Sequence, residues 1–458
     1  MAIKSGNNWL GTRRDRGSPI EVKINDHFHS KVYYACGSPI SGFVVISTKR
    51  DVAFDVFEII FTGKASTRVD TLRPCQSSAS RTFLKMSMPI PRNDLPESQV
   101  FEAGRTYTIP FNFVVPSQLA PSACCHDCSA MMQKQHLRLP PTMGSWDGGD
   151  QAPETVHVKY SIKAVVSKDK ENSGQVKLLE DEHHLCILPI SSEEPPLHIT
   201  PEDKKYCLIQ GKMMRQNLFS PRTGYLRAAA IQPNPIEFSV DALGARGSSI
   251  RIDLEFVPIA GVPPPDIHAV AAKIHSTTHF SITTINYLPN VGKPAENALC
   301  PVVTYSTANK INTDPPRVVW DRQYSTSLRG YTRKPHLDQQ ERALESSIAE
   351  VCSGVGSDDT GGNSPIKHVA TLDIPFTLPT ANKQIFLPTF HSCLISRTYS
   401  INLTLAVGTF GTALSLSIPL QVVVKDPSLT HTIPAYTKTK QDIFQEHDEP
   451  PPYNSVDL

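Results

Sequence analysis

The densest group of potentially reactive side chains in this sequence begins at residue 124. Cys124, Cys125, His126 and Cys128 bring thiol and imidazole groups close together along the chain, and His136 follows shortly after them. Thiolate and imidazole are the ligands of tetrahedral zinc sites in proteins. The spacing fits no standard zinc module, so the pattern alone favours unligated thiols and no metal site.

No other stretch of the sequence has a pattern typical of an active site. His183, His184 and His391 occur without a G-x-S-x-G nucleophile motif or an H-E-x-x-H zinc motif. The glycines between residues 354 and 362 lack the Gly-Lys-Ser/Thr sequence of a phosphate loop. An enzyme with a site in the Cys124–Cys128 loop remains an alternative, although no base or oxyanion arrangement accompanies that loop. We therefore expect a protein that is not an enzyme and that holds no cofactor.

A recognition motif, Pro450-Pro451-Pro452-Tyr453, lies near the C-terminus of the sequence. Consecutive prolines already occupy the polyproline II conformation, so a WW domain can bind them in its aromatic groove with little loss of entropy. In this interpretation Pro450 and Pro451 contact the groove, and Tyr453 fills a neighbouring pocket. The alternative is a chance run of prolines in a flexible terminus.

A second and weaker WW-binding candidate, Ile433-Pro434-Ala435-Tyr436, precedes the first. It retains Pro434 and Tyr436 but lacks the first proline of the motif, so the pattern favours a chance occurrence. If it does bind, two motifs on one chain would add avidity for a ligase that has several WW domains.

Length and charge limit the functions that these motifs can serve. The chain has 458 residues, which is long enough for two large domains. Its 45 Lys and Arg residues balance 44 Asp and Glu residues, so no overall field attracts nucleic acid or anionic lipid. The segment Met1–Thr12 lacks the apolar run of a secretory signal. We therefore expect a cytosolic chain whose ten cysteines stay reduced.

An alternation of apolar and polar residues predicts the elements that position these motifs. Apolar side chains occupy every second position from Val156 to Val166 and from Ile250 to Phe256, which is typical of half-buried antiparallel strands. The uncharged stretch Ile401–Val424 is long enough to span a membrane, but it also alternates on both sides of a turn at Gly408–Gly411. This pattern predicts a β-hairpin.

Between Asp51 and Thr62 the apolar residues change from one strand face to the other. They comprise Val52, Phe54 and Val56, followed by Phe57, Ile59 and Phe61. We interpret this change as one long strand with a single-residue bulge. Throughout the chain, 39 prolines and 24 glycines punctuate short strands, which favours an all-β fold of β-sandwich domains.

A change in composition at Ser191–Pro196 divides the predicted strands and indicates an interdomain hinge at residues 190–205. The chain then comprises a flexible N-terminal segment, two tandem β-sandwich domains and a disordered tail: residues 1–18, 19–195, 200–427 and 428–458. A charged run at residues 338–350, followed by glycines and serines, predicts a mobile insertion at residues 331–368 with one short helix.

Several segments of both predicted domains carry motifs of one known family. The run from Tyr34 to Val44 fits Y-x-x-G-x-x-I-x-G-x-V, and the run from Phe111 to Ser122 resembles F-x-F-x-x-P followed by L-P-x-S. The other matching segments are Ile60–Ala65, Ile374–Pro379, Leu387–Tyr399 and Ile418–Val422. Together these segments resemble the arrestin-like family, in particular the fungal members of its α-arrestin branch.

The resemblance implies two immunoglobulin-like β-sandwiches side by side, as in the arrestin fold, and a role as a trafficking adaptor. Such an adaptor recruits a WW-domain HECT-type ubiquitin ligase to the cytosolic tails of plasma-membrane transporters or receptors, which promotes their ubiquitination, endocytosis and sorting. It would be cytoplasmic and recruited peripherally to the plasma membrane and endosomes, without membrane insertion or nucleic-acid binding. The alternative is a ligase-independent cargo-sorting scaffold of retromer type. Family members often carry Cys and His in the loop at residue 124, which also favours unligated thiols there.

Overall fold

The structure is a computed structural model, and nearly all of its regular elements are β-strands. The all-β sandwich fold expected from the period-two patterns is therefore confirmed. The structure describes residues 18–25, 33–69, 78–145, 149–170, 174–200, 203–215, 219–239, 247–259, 261–292, 301–313, 317–324, 366–378, 384–408 and 411–425. No helix among these residues is long and apolar enough to cross a membrane.

Ten strands and one short helix make up the first group of elements. The strands are β1 (Ile20–Ile24), β2 (Tyr33–Tyr34), β3 (Pro39–Ser47), β4 (Val52–Ala53), β5 (Val56–Arg68), β6 (Ser78–Ser87), β7 (Val100–Phe101), β8 (Thr106–Val114), β9 (Val156–Lys170) and β10 (Gly174–Ile187). The helix α1 (Ala130–His136) lies between β8 and β9. One sheet has the order β1-β3-β8, another has the order β2-β10-β9-β5-β6, and β4 pairs with β7.

The two larger sheets of the first group pack face to face through aromatic side chains. Phe61 of β5 lies 5.9 Å from Phe113 of β8, measured between ring centroids. The alternating residues of β9 point into this core, where Tyr160 is fully buried and donates a hydrogen bond to the Pro140 carbonyl at 2.6 Å. A buried hydroxyl without a partner would lower the stability of the fold. This hydrogen bond therefore allows the Tyr160 hydroxyl to lie in the apolar layer.

The prediction of one long bulged strand between Asp51 and Thr62 is wrong. The chain leaves β4, which pairs with β7, and enters β5, which pairs with β6 and β9 in another sheet. Between them the Phe54 N–H donates to the Gln99 carbonyl, and the Asp55 N–H donates to the Ser167 carbonyl. The change of apolar face therefore marks a crossing between two sheets.

Twelve strands make up the second group. They are β11 (Ile209–Arg215), β12 (Arg222–Ala230), β13 (Ile236–Ser239), β14 (Ser248–Pro258), β15 (Ile267–Phe280), β16 (Val303–Ile311), β17 (Asp321–Tyr324), β18 (Ile366–Phe376), β19 (Phe390–His391), β20 (Ile395–Val407), β21 (Thr412–Leu420) and β22 (Val422–Lys425). One sheet has the order β11-β12-β14-β18-β17, and a second has the order β16-β15-β20-β19, with β21 also paired to β20. The strands β13 and β22 pair in parallel. Each described sheet draws its strands from one group only.

The hairpin predicted within Ile401–Val424 is present as β20 and β21. Their register joins Val407 to Thr412, and both Gly408 and Gly411 have a positive φ of 65°. Residues that carry a Cβ atom rarely adopt this backbone conformation, which explains the glycines at these two positions. The alternating apolar residues of both strands point into the core.

The predicted insertion at residues 331–368 includes three residues that belong to a strand. Ile366, Lys367 and His368 open β18, and they pair with β17 through Tyr324, Gln323 and Arg322. This ladder sets their position next to β17, so these three residues belong to a strand and not to a mobile segment. Residues 325–365, with the helix predicted at 338–350, lie outside the described residues, as do residues 1–17 and 426–458.

The two groups meet at a buried contact, here called the junction. The Thr67 hydroxyl of β5 donates to the Ser281 carbonyl at 2.8 Å, and the Ile385 N–H donates to the Gly149 carbonyl at 2.8 Å. The Gln151 side chain accepts hydrogen bonds from Thr307 and Asn309 of β16. On the side of the first group, these contacts come from β5 and from the segment between α1 and β9.

Candidate functional site

The WW-binding candidates of the sequence lie outside the described residues. This holds for Pro450, Pro451 and Tyr453, and equally for Pro434 and Tyr436. They therefore stay predictions. Within the described residues, the group that brings reactive side chains together is the Cys/His cluster, which consists of Cys124, His126, His136 and Cys393.

The first half of the Cys/His cluster comes from the loop that follows β8. A short 3₁₀ turn at Pro121–Ala123 ends in Cys124, whose N–H donates to the Pro121 carbonyl at 3.1 Å. The Arg81 guanidinium of β6 donates to the Ala123 carbonyl at 2.7 Å. These two bonds fix the backbone on which Cys124 and His126 stand.

The helix α1 contributes His136. Ser129 caps the start of this helix, since its hydroxyl accepts a hydrogen bond from the Met132 N–H at 3.3 Å. His136 is the last residue of α1, and it is buried together with Met132 on the inner face of the helix. The short helix therefore places the His136 imidazole next to Cys124.

The last member, Cys393, comes from the second group. It lies in a tight turn between β19 and β20, in which the Ser392 N–H donates to the Ile395 carbonyl at 2.8 Å. The Cys393 carbonyl accepts a hydrogen bond from the Ile285 N–H at 2.8 Å. Because the turn is tied on both sides, the Cys393 thiol is held against the junction.

Distances within the cluster are short. The Cys124 sulfur lies 3.5 Å from Nδ1 of His136 and 3.7 Å from Nδ1 of His126. One ligand atom from each of the four residues lies within 4.8 Å of the other three, and the Cys124, His136 and Cys393 side chains are buried. The rings of His126 and His136 are 5.1 Å apart between centroids. Four soft donors thus surround one point at the junction.

The surroundings keep these groups uncharged. Burial lowers the pKa of His136 to about 4, with His126 and Arg81 acting in the same direction. Burial also lowers the pKa of His126, and it raises the pKa of the thiols of Cys124 and Cys393. Two neutral imidazoles and two thiols at neutral pH are a donor set without a fixed charge, and thiols of this kind ionise when a metal binds.

The His136 ring lacks a good hydrogen-bond partner. Its Nδ1 meets the Cys124 sulfur, which is a weak donor and acceptor, and its buried Nε2 has no partner in normal hydrogen-bond geometry. The Ile285 backbone acts to raise the pKa of His136, but less than burial, His126 and Arg81 each lower it. A buried polar atom without a partner costs about 1–3 kcal/mol, so the position of this ring calls for a physical explanation.

The structure separates the cysteines that the sequence groups together. The Cys128 sulfur is 3.8 Å from that of Cys124, but Cys128 is not one of the four residues whose ligand atoms all lie close together. Cys125 is exposed, and its thiol donates to the Ser122 carbonyl at 2.8 Å. Cys393 was not grouped with this loop, because nothing in the local pattern links it to a loop so far back in the chain.

No protein-family model matches the chain, and no curated protein is significantly similar to it.

Proposed function

We propose that this protein is an adaptor that recruits a WW-domain HECT-type ubiquitin ligase through Pro450, Pro451 and Tyr453. The ligase is brought to the cytosolic tails of plasma-membrane transporters or receptors, which are then ubiquitinated, internalised and sorted. The observation that carries the proposal is the Pro-Pro-Pro-Tyr sequence on the same chain as an all-β body of two strand groups. This combination resembles the adaptors of the arrestin-like family.

The proposed role is physical proximity rather than catalysis. A chain that holds ligase and cargo together makes their encounter intramolecular, and short tethers give effective concentrations in the millimolar range. A WW contact of micromolar affinity is then sufficient. Counted along the sequence, 24 residues separate Lys425, the end of β22, from Pro450. At full extension they span at most roughly 80–90 Å, so the ligase would stay close to the β-sandwich body.

Within this proposal the adaptor works in the cytoplasm and reaches the plasma membrane and endosomes through its cargo. The nearly equal numbers of basic and acidic residues support recruitment by a partner, because no net field draws the chain to an anionic membrane. Pro434 and Tyr436 are assigned an auxiliary part, in which a second WW domain of the same ligase adds avidity.

The first experiment measures binding of a peptide spanning His447–Leu458 to isolated WW domains of a HECT-type ligase by calorimetry. We expect micromolar affinity that is lost on Tyr453→Ala, since the tyrosine fills the pocket beside the proline groove. Asn454→Ala is the matched control, because it lies next to the motif but outside it. Absence of binding by the unaltered peptide would refute recruitment through this motif.

The second experiment uses the full chain in cells and follows turnover of candidate cargo. Tyr453→Ala is expected to abolish capture of the ligase and to slow cargo ubiquitination, whereas Tyr436→Ala is expected to weaken capture only modestly. Normal cargo turnover with Tyr453→Ala would instead favour the ligase-independent sorting scaffold.

A further inference from the structure

We propose that Cys124, His126, His136 and Cys393 bind one structural zinc ion that clamps the two strand groups together at the junction. Three of the ligands belong to the first group, in the loop and helix between β8 and β9, and the fourth belongs to the second group. A single ion would then cross-link elements that share no β-sheet among the described residues. This inference does not depend on the WW-binding motif.

The first argument is geometric. In a tetrahedral zinc site, Zn–S bonds of about 2.3 Å and Zn–N bonds of about 2.0–2.1 Å place a sulfur and a nitrogen about 3.5 Å apart. The Cys124 sulfur lies 3.5 Å from Nδ1 of His136 and 3.7 Å from Nδ1 of His126. All four ligand atoms fall within 4.8 Å of one another. The two sulfur–nitrogen distances at Cys124 are therefore close to those of a bound zinc ion.

The second argument concerns the type of ligands. Two thiolates and two neutral imidazoles form the Cys₂His₂ set of many structural zinc sites, and they neutralise the charge of Zn²⁺ in a buried position. The donor atoms fill all four tetrahedral positions, which leaves none for water or substrate. Such a closed site stabilises structure and performs no chemistry.

The third argument is the unsatisfied imidazole. The His136 side chain is 2 % exposed, and its Nε2 has no hydrogen-bond partner in normal geometry. Zinc bound through Nδ1, the nitrogen that faces the Cys124 sulfur, would orient the ring through the metal bond. Nε2 would then carry the proton of the ring, as the uncoordinated nitrogen of a metal-bound histidine does.

The first test is the metal content of the purified full-length chain, measured by mass spectrometry after dialysis against a mild chelator. We expect about one zinc ion per chain of the wild-type protein. The zinc content of Cys393→Ser and of Cys124→Ser should be lower by about tenfold or more. Cys125→Ser is the matched control, because its exposed thiol lies beside the cluster but outside it, and it should retain the metal. A folded wild-type chain with no zinc would overturn the proposal.

Cys128→Ser tests the choice of ligands. Its sulfur is 3.8 Å from that of Cys124, so it is the nearest substitute for Cys393. Loss of zinc in Cys128→Ser, together with retention in Cys393→Ser, would refute the clamp, because all ligands would then come from one group. If variants fail to fold, cobalt substitution of the wild-type chain tests for a tetrahedral thiolate site without any substitution. A tetrahedral spectrum with thiolate charge-transfer bands supports the site, and an octahedral spectrum overturns it.

The clamp itself is tested by hydrogen exchange. The Ile385 amide, which donates to the Gly149 carbonyl across the junction, should exchange at least about tenfold faster when a strong chelator removes the metal. The Val44 amide within the first group, which belongs to the β3–β8 ladder, should be unaffected. Equal protection of Ile385 with and without chelator would exclude a clamping role.

Discussion

Arg397 of β20 donates a hydrogen bond from Nη2 to the backbone carbonyl of Asp150, at 2.9 Å, and so joins the second group to the first. The Arg397 side chain is fully buried, although its Nε has no partner. The Asp150 carboxylate in turn accepts hydrogen bonds from the Gly144 and Ala152 N–H groups. The Asp150 side chain thus stabilises its own loop in the first group. The Arg397 guanidinium of the second group then binds the Asp150 carbonyl of that loop.

Replacing this arginine should weaken the junction. We expect Arg397→Ala to lower the free energy of unfolding by roughly 2–4 kcal/mol, because it leaves a cavity and an unpaired carbonyl at Asp150. Urea denaturation measures the change. Arg251→Ala is the control, since Arg251 is exposed on β14 and its ion pair with Asp253 contributes little. Equal effects of the two substitutions would show that the buried arginine adds no net stability.

A smaller change should break a single hydrogen bond of the junction. Thr67→Val preserves the shape of the side chain but removes the hydroxyl that donates to the Ser281 carbonyl at 2.8 Å. We expect a loss of about 1–2 kcal/mol in unfolding free energy, because the buried carbonyl loses its partner. Thr67→Ser keeps the hydroxyl and should lose less. The two variants would be indistinguishable by thermal denaturation if the hydrogen bond made no contribution.

His279 of β15 is a buried histidine that should make stability depend on pH. Its ring nitrogens lie 3.2 Å from the hydroxyls of Thr304 and Thr398. Burial, followed by the nearby Lys205, His391 and Arg397, lowers the pKa of His279 to about 3. The folded protein therefore keeps this ring neutral under conditions in which the unfolded chain, with a pKa of about 6.5, takes up a proton.

The sign of the effect follows from proton uptake. Below about pH 6.5 the unfolded state binds one more proton at His279 than the folded state, so stability falls as the pH falls toward 3. His279→Gln should reduce the slope of unfolding free energy against pH in this range by about 1.4 kcal/mol per pH unit. Urea titrations at several pH values measure this slope. If the slope of unfolding free energy against pH were unchanged in the variant, His279 would have the same pKa in the folded and unfolded states.

A substitution at Gly408, in the turn of the β20–β21 hairpin, should change stability through backbone conformation and not through steric contact. Gly408 has a positive φ of 65°, and its N–H donates to the Asp266 carbonyl at 2.9 Å. An added Cβ would meet only the Met214 methyl, at an ordinary contact of 3.8 Å. Gly408→Ala should therefore cost about 1–2 kcal/mol, and Gly408→Asn less, since Asn tolerates this conformation. Equal stability of the glycine and alanine forms would contradict the assigned turn geometry.

Strands with one buried face could be predicted from the sequence because their residues alternate with a period of two. The prediction from Val156 to Val166 falls within β9, and the one from Ile250 to Phe256 falls within β14. The same periodicity distinguished a hairpin from a membrane helix at Ile401–Val424. Periodicity reports which face of a strand is buried, however, and not which strand it pairs with.

The wrong prediction of a bulged strand and the omission of Cys393 have this same origin. The break at Phe54 and Asp55 changes the partner strand as well as the buried face, and a face change alone is equally well explained by a bulge. The Cys/His cluster needs Cys393, which the fold brings from the second group to the loop of the first. Local spacing around Cys124 favours free thiols, and it gives no sign that Cys393 of the second group lies beside them.

The last described strand, β22, is attached to the linker between the two strand groups. The Ser191 N–H donates to the Val424 carbonyl, the Val424 N–H donates to the Ser191 hydroxyl at 2.8 Å, and β22 pairs in parallel with β13. The segment after Lys425 thus departs from the linker between the two strand groups and not from a distal loop. Tension on that segment would therefore act first on the β13–β22 pairing and on the Ser191 contacts, where the linker between the two groups lies.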